Sequence, residues 1–291
     1  MAWAERYDYS PIADRKPMKL PRGARVAVWT IVNIEEWDIA HPMARTVLPP
    51  PGGGTNPAPD VPNFSWFEYG LRVGVWRLKA VLDRHRIKAT VSLNGAVCTS
   101  YPRIIEACVK SGWEFMGHSY IQRPTHKEED QQGMIRKTVA TIKAATGRAP
   151  RGWMGPGLTE TWETPDLLAA EGIEYVCDWV NDDQPYEMRV KTGRLVSMPY
   201  TVEINDIPIF ALQHHRAEEL FQRAKDQFDT LYAEGKTNAR IMAIAVHPYL
   251  SGAPYRIKYF DMIFKYLRKH PGVVFWKGEE ILDWFDRQRG R

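Results

Sequence analysis

Val26-Ala-Val-Trp-Thr-Ile-Val-Asn-Ile-Glu-Glu36 is a run rich in β-branched side chains that stops at two adjacent carboxylates. An apolar run of this kind reads as a strand buried on both faces, as in a parallel sheet covered by helices. Glu35 and Glu36 at its end are unfavourable to bury unless a cation, a hydrogen-bond partner or a reaction uses them. Adjacent strand residues point to opposite faces, but the pleat relaxes at a strand end, and both carboxylates are expected to turn toward one mouth. The ordinary alternative is a charged strand end meeting solvent. The rest of the chain weighs against it.

The chain has 291 residues, 44% of them hydrophobic, which supports a sizeable core. Its net charge of +4 is small and its charges are interspersed, so nucleic acid is not an expected partner. Cys98, Cys108 and Cys177 form no C-x-x-C pair and no disulfide framework, which fits a reducing compartment. Residues 1–21 contain no apolar stretch resembling a secretory leader, and no apolar run is long enough to span a bilayer. The expectation is a cytoplasmic protein without a membrane partner.

Working outward from the first strand, residues 1–24 are polar and proline-bearing and read as an arm. Residues 41–67 include Pro49-Pro-Pro-Gly-Gly-Gly-Thr-Asn-Pro-Ala-Pro59, which cannot hold a helix or a central strand. Because this segment leaves the end of the first strand, it is expected to cover the same mouth. Leu71, Val75, Leu78 and Leu82 then recur at helical spacing over 69–86. Beyond them strands are expected over 87–93, 113–117, 152–154, 173–177, 195–198, 207–210, 241–246 and 273–276. Helices are expected over 101–110, 127–146, 164–171, 217–233, 255–269 and 279–287. Strand and helix alternate without a composition break, which predicts one α/β domain over 1–291. About seven parallel units favour closure into a barrel, with chemistry at the carboxyl ends of the strands.

Glu35, Glu36, His118, Arg151, Asp178 and His247 all fall at or beside predicted strand ends. Taken singly, each has a structural explanation. Gathered on one rim they supply a carboxylate base, a histidine acid, an arginine and candidate metal ligands, as amide hydrolysis requires. Glu68 and Arg72, near the start of the first long helix, are candidate substrate contacts. Trp153 and Trp179 are candidate pocket walls.

The order and spacing of these residues resemble the polysaccharide deacetylase superfamily over about residues 25–285. Glu35-Glu36 stands where that family has Asp-Asp, and Gly117-His118-Ser-Tyr-Ile-Gln122 where it has His-Ser/Thr-x-x-His. Arg151-Gly-Trp153, Asp178-Trp179 and Ile244-Ala-Val-His247 follow in the family's order. The resemblance implies a deformed (β/α) barrel that hydrolyses carbon–nitrogen bonds. Glu35 would be the base, oriented by Arg151, and His247 the acid, positioned by Asp178. Glu36 and His118 would be metal ligands.

Gln122 stands where the family's second histidine belongs, and its carbonyl is a poor zinc ligand. The expectation is therefore a divalent metal, zinc, held weakly or not at all, with Gln122 turned to substrate. Asn33-Ile-Glu-Glu36, Phe67-Glu-Tyr-Gly-Leu-Arg-Val-Gly-Val-Trp-Arg77 and Asn181-Asp-Asp-Gln-Pro-Tyr186 resemble the allantoinase and cyclic imide hydrolase branch. That implies a small cyclic amide, imide or ureide as substrate and a homo-oligomer. The alternatives are a metal-dependent deacetylase of an N-acetylated sugar and a catalytically silent ureide- or sugar-binding protein.

Overall fold

A computed structural model describes residues 2–54 and 56–290; Thr55, inside the expected cover, lies outside the described residues. Among them, β1 (Val26–Ile34) is buried along its whole length. It is flanked in parallel by β2 (Thr90–Leu93), β8 (Arg240–Val246) and β9 (Val273–Trp276). The sheet continues through β3 (Glu114–Gly117), β4 (Gly152–Trp153) and β5 (Tyr175–Val176), giving the order β6-β7-β5-β4-β3-β2-β1-β8. β6 (Tyr186–Met188) runs antiparallel to β7 (Leu195–Ser197), so the sheet is mixed rather than wholly parallel. It curls into a half-barrel with helices outside, the deformed (β/α) barrel that was expected.

Side-chain parity sorts the core into layers. Ala27, Trp29 and Ile31 of β1 pack inside the barrel with Ile241, Ala243 and Ala245 of β8 and Tyr175 of β5. α9 (Gly278–Gln288) closes the barrel floor with Ile281, Leu282, Trp284 and Phe285. Val26, Val28, Val32 and Ile34 face the other way, onto α2 (Val75–Arg84), α7 (Glu219–Glu234) and α8 (Ile257–Leu267). Each such large aliphatic side chain taken from water contributes roughly 1.5–3 kcal/mol. That outer layer makes the alternation of strand and helix self-supporting.

Three segments differ from expectation. The cover ends earlier, because α1 (Val61–Tyr69) starts within it. Asp60 caps this helix by accepting from the Asn63 amide, and Pro62 sits in its first turn. α1 does not pass directly into α2, because residues 70–74 form a π-helical turn. A side chain at Gly74 would meet the Pro248 carbonyl at 2.0 Å, and one at Gly70 the Tyr249 amide at 2.6 Å. The two glycines therefore let this helix press against the loop that follows β8. Lastly, the strand expected over 207–210 falls in a π-helical turn, Ile207–Leu212. Its flank Asn205 makes a single bridge to Ala245 on the free edge of β8.

The wall between β8 and β6 is open and crossed by the N-terminal arm. A groove of about 1370 Å³ lies there, lined by Tyr7, Arg15, Tyr186, Tyr200 and Phe285 among others. No helix among the described residues is long and apolar enough to cross a membrane.

Candidate active site

The parity that places Trp29 and Ile31 inside the barrel also turns Asn33 and Glu35 inward. On β3, Met116 faces inward and so does His118; on β8, Ala245 faces inward and so does His247. These three strand ends bring two imidazoles to one carboxylate. Glu35 Oε1 lies 3.4 Å from His247 Nε2 and 3.7 Å from His118 Nε2. It also accepts a hydrogen bond from Gln122 Nε2 at 3.0 Å, while Oε2 accepts from Trp37 Nε1 at 3.1 Å. Glu35, His118 and His247 are all buried.

Each imidazole is fixed from behind. His247 Nδ1 lies 2.6 Å from Asp206 Oδ1, and Asp206 Oδ2 accepts from the His247 amide and the Ser251 hydroxyl. His118 Nδ1 lies 2.6 Å from the Met154 carbonyl oxygen. A carbonyl only accepts, so this nitrogen carries the ring proton and Nε2 is the atom turned to Glu35.

The charges follow from this packing. Burial alone would raise the Glu35 carboxyl, but the neighbouring His247 imidazolium outweighs it and holds Glu35 well below the usual carboxylate range. Burial would lower His247, yet Asp206 and Glu35 raise it to about 9. At neutral pH the pair is a carboxylate beside an imidazolium: a base and an acid in contact.

The same parity separates the other expected residues. Glu36 falls on the outer face with Ile34 and does not join Glu35 at the mouth. Its Oε1 accepts from Ser100, its neighbouring charge is Glu68, and burial raises its carboxyl. Glu68 in turn accepts from the Tyr101 hydroxyl, and Arg72 is exposed on the π-helical turn. The expected pairing of Glu36 with His118 as ligands is thus corrected: the carboxylate facing His118 is Glu35.

Arg151 lies at the opposite, amino end of β4, where it pairs with Glu174 at 2.6 Å and Asp283 at 2.8 Å. It does not orient Glu35, because a two-residue strand leaves it on the floor side. Trp153 packs in the outer layer with Val176 and Leu168, fully buried.

Asp178 shares the outward parity of Val176 and does not face His247. Both its oxygens accept from the Gly155 amide, at 2.8 and 3.0 Å. Burial beside Glu160 raises both carboxyls, Glu160 to about 7. Trp179 donates to Glu160 at 3.0 Å and packs edge-on against Tyr7 of the arm.

Sequence reading missed Asp206, although it stands in Glu203-Ile-Asn-Asp206, a short acidic turn in a segment of uncertain pattern. Of the aromatic roof, the sequence pointed to Trp37 as a rim aromatic but not to Phe67 or Tyr249. Trp37 stacks on Phe67 at 4.3 Å, and Phe67 meets Tyr249 edge-on at 4.5 Å. Beneath them a cavity of about 10 Å³ is lined by Asn33, Glu35, Leu71 and Tyr249 among others.

The donor set does not suit a three-ligand zinc site. Asp206 and Glu35 keep His247 protonated, and Gln122 aims an N–H rather than a lone pair at Glu35. That leaves Glu35 and His118. Among the described residues no three His, Cys, Asp or Glu side chains are arranged to hold a metal ion. His126, the next histidine along the chain from His118, is exposed on a short turn.

Comparison with known proteins places this geometry. A family model described as polysaccharide deacetylase matches residues 59–176. A Schizosaccharomyces pombe protein carrying a polysaccharide deacetylase designation is 28% identical, over 90% of each chain. The Helicobacter pylori peptidoglycan deacetylase is 25% identical over 75% of this chain and 86% of its own. Among solved structures, PuuE allantoinase superposes with a TM-score of 0.82 at 26% identity, covering 97% of this chain and 98% of that one. With the barrel, the strand-end acid–base pair and these relatives in agreement, the chain is a hydrolase similar in sequence and fold to the polysaccharide deacetylases.

Proposed function

We propose that the protein hydrolyses the amide bond of a small cyclic amide, imide or ureide, as the similarity to PuuE allantoinase suggests. The observation that carries the reading is the protonated His247 held 3.4 Å from ionised Glu35. Glu35 takes a proton from water, and the oxygen adds to the amide carbonyl carbon. The carbon–nitrogen bond then breaks, its electron pair stays on nitrogen, and that nitrogen takes the Nε2 proton of His247. Asp206 keeps His247 protonated and oriented. No step is routed through a metal, since the donors do not fit one.

The binding groups favour a ureide-like ring. Gln122 Oε1 and Asn33 Oδ1 are buried acceptors without a protein partner, suited to N–H groups of a substrate. Trp153, Trp179, Glu68 and Arg72 are not proposed as direct contacts. The reading includes a homo-oligomer in the cytoplasm, with all of 1–291 serving one catalytic unit.

The test is a panel of purified-enzyme assays, following ring opening of allantoin and hydantoins beside acetate release from N-acetylglucosamine oligomers. Ring opening without acetate release is expected. Acetate release alone would favour sugar deacetylation, toward which the named deacetylase relatives point. Binding of a ureide without turnover would favour a silent binding protein.

A further inference from the structure

We propose that Asp178 is a positioning residue for His118, acting through the peptide group that joins Met154 to Gly155. The two hydrogen bonds on that group run in opposite directions. Its carbonyl accepts from His118 Nδ1 at 2.6 Å, and its N–H donates to Asp178 at 2.8 and 3.0 Å. A peptide group is planar and rigid, so fixing one side fixes the other. His118 then presents Nε2 to Glu35 across 3.7 Å. Asp178 thereby bears, through one peptide group, on the imidazole that faces Glu35.

The peptide needs this anchor because of the residue that follows it. Glycine adopts backbone conformations closed to other residues, so a peptide beside it turns over more easily. Turning this one over would present an N–H to His118 in place of a carbonyl. Nδ1 would then have to accept, and the ring proton would move to Nε2. The glycine cannot simply be replaced to stiffen the chain. A Cβ at 155 would meet the Thr159 carbonyl at 2.4 Å, Thr125 Oγ1 at 3.0 Å and Asp178 Oδ2 at 3.1 Å. Asp178 supplies the rigidity from outside the backbone and is itself held beside Glu160, which takes the Trp179 N–H. Bonding on the N–H side also polarises the carbonyl, strengthening its hold on His118 by something on the order of 10–30%.

Glu35 therefore sits between two imidazoles with unlike supports. His247 is backed directly by the Asp206 carboxylate. His118 is backed by a neutral carbonyl that Asp178 holds in place. The inference rests on the proposed function only in counting His118 among the site residues.

The test reads the ring nitrogens of His118 and His247 by ¹⁵N NMR in substrate-free protein, so it is independent of whether the proposed reaction occurs. In the parent, His118 is expected to carry its proton on Nδ1. Asp178→Ala should populate the Nε2–H form of His118 while leaving His247 at its parent shifts. Asp178→Asn, which keeps an acceptor for the Gly155 N–H, should restore the Nδ1–H form. Should Asp178→Ala fail to fold, Asp178→Ser serves in its place, since its hydroxyl is too short to reach Gly155. Unchanged His118 nitrogens in the variant lacking an acceptor would overturn the proposal. So would an Asn variant displaced as far as the Ala variant.

Discussion

Glu35 differs from Glu36 by one position and opposite surroundings. One side chain enters the barrel between two histidines; the other leaves it toward Ser100 and Glu68. Glu35→Gln keeps the shape and removes the base. A loss of about 10²–10⁴-fold in kcat/KM is expected with an unchanged fold by circular dichroism. The ionisation of the pair also sets the pH dependence. His247 is raised from 6.5 to about 9, so the stability it lends is complete below about 6.5 and is lost as pH rises through about 9. Glu35 is depressed, so its contribution is present above the ordinary carboxylate value and is lost only as pH falls well below it. Turnover needs both charges and should fall on the alkaline side through about 9. Asp206→Asn removes one of the two carboxylates holding the imidazolium, and a pH profile of kcat/KM should show its alkaline limb displaced to lower pH. An unmoved limb would mean that another group sets it.

At the scale of elements, the cover is stitched rather than loose. Asn63 on α1 accepts from the Val47 and Leu48 amides at 2.8 and 3.0 Å, and donates to the Leu48 carbonyl and to Asp60. Arg45, from the same segment, donates to the hydroxyl of Tyr249 in the roof. Asn63→Ala leaves several of these groups unpaired. It should lower stability by on the order of 2 kcal/mol in denaturant unfolding and raise KM, because the segment reaches the roof. Stability lost with KM unchanged would show that the cover acts on the fold alone. The composition of 49–59 indicated irregular backbone, as its described residues 49–54 and 56–59 have. That Asn63 fastens the segment to α1 was not legible, because the backbone groups it binds at 47 and 48 are 15–16 residues away. The cap was legible: Asp60-Val61-Pro62 carries both an acceptor and a first-turn proline.

Across the whole molecule, the two ends of the barrel do different work. The mouth holds Glu35, His118 and His247; the floor holds Arg151 with Glu174 and Asp283. Arg151→Ala should cost about 1 kcal/mol or less, as partly exposed ion pairs do, and leave kcat/KM at the parent value. A large fall in turnover with normal thermal unfolding would restore the arginine to the site. By itself the sequence determined the alternation of strand and helix, the buried first strand, and three of the residues that meet at its end. Those features follow from local periodicity, which fixes faces and lengths wherever the segment ends up. Parity also carried the separation of Glu35 from Glu36 and of Asp178 from the interior, once the strands were known to keep their pleat to the last residue. Only the tertiary structure decided which carboxylate stands behind His247. Asp206 reaches it because Asn205 bridges the open edge of β8, outside any regular element. A contact made at an unclosed barrel wall depends on how the sheet curls, and no local pattern encodes that.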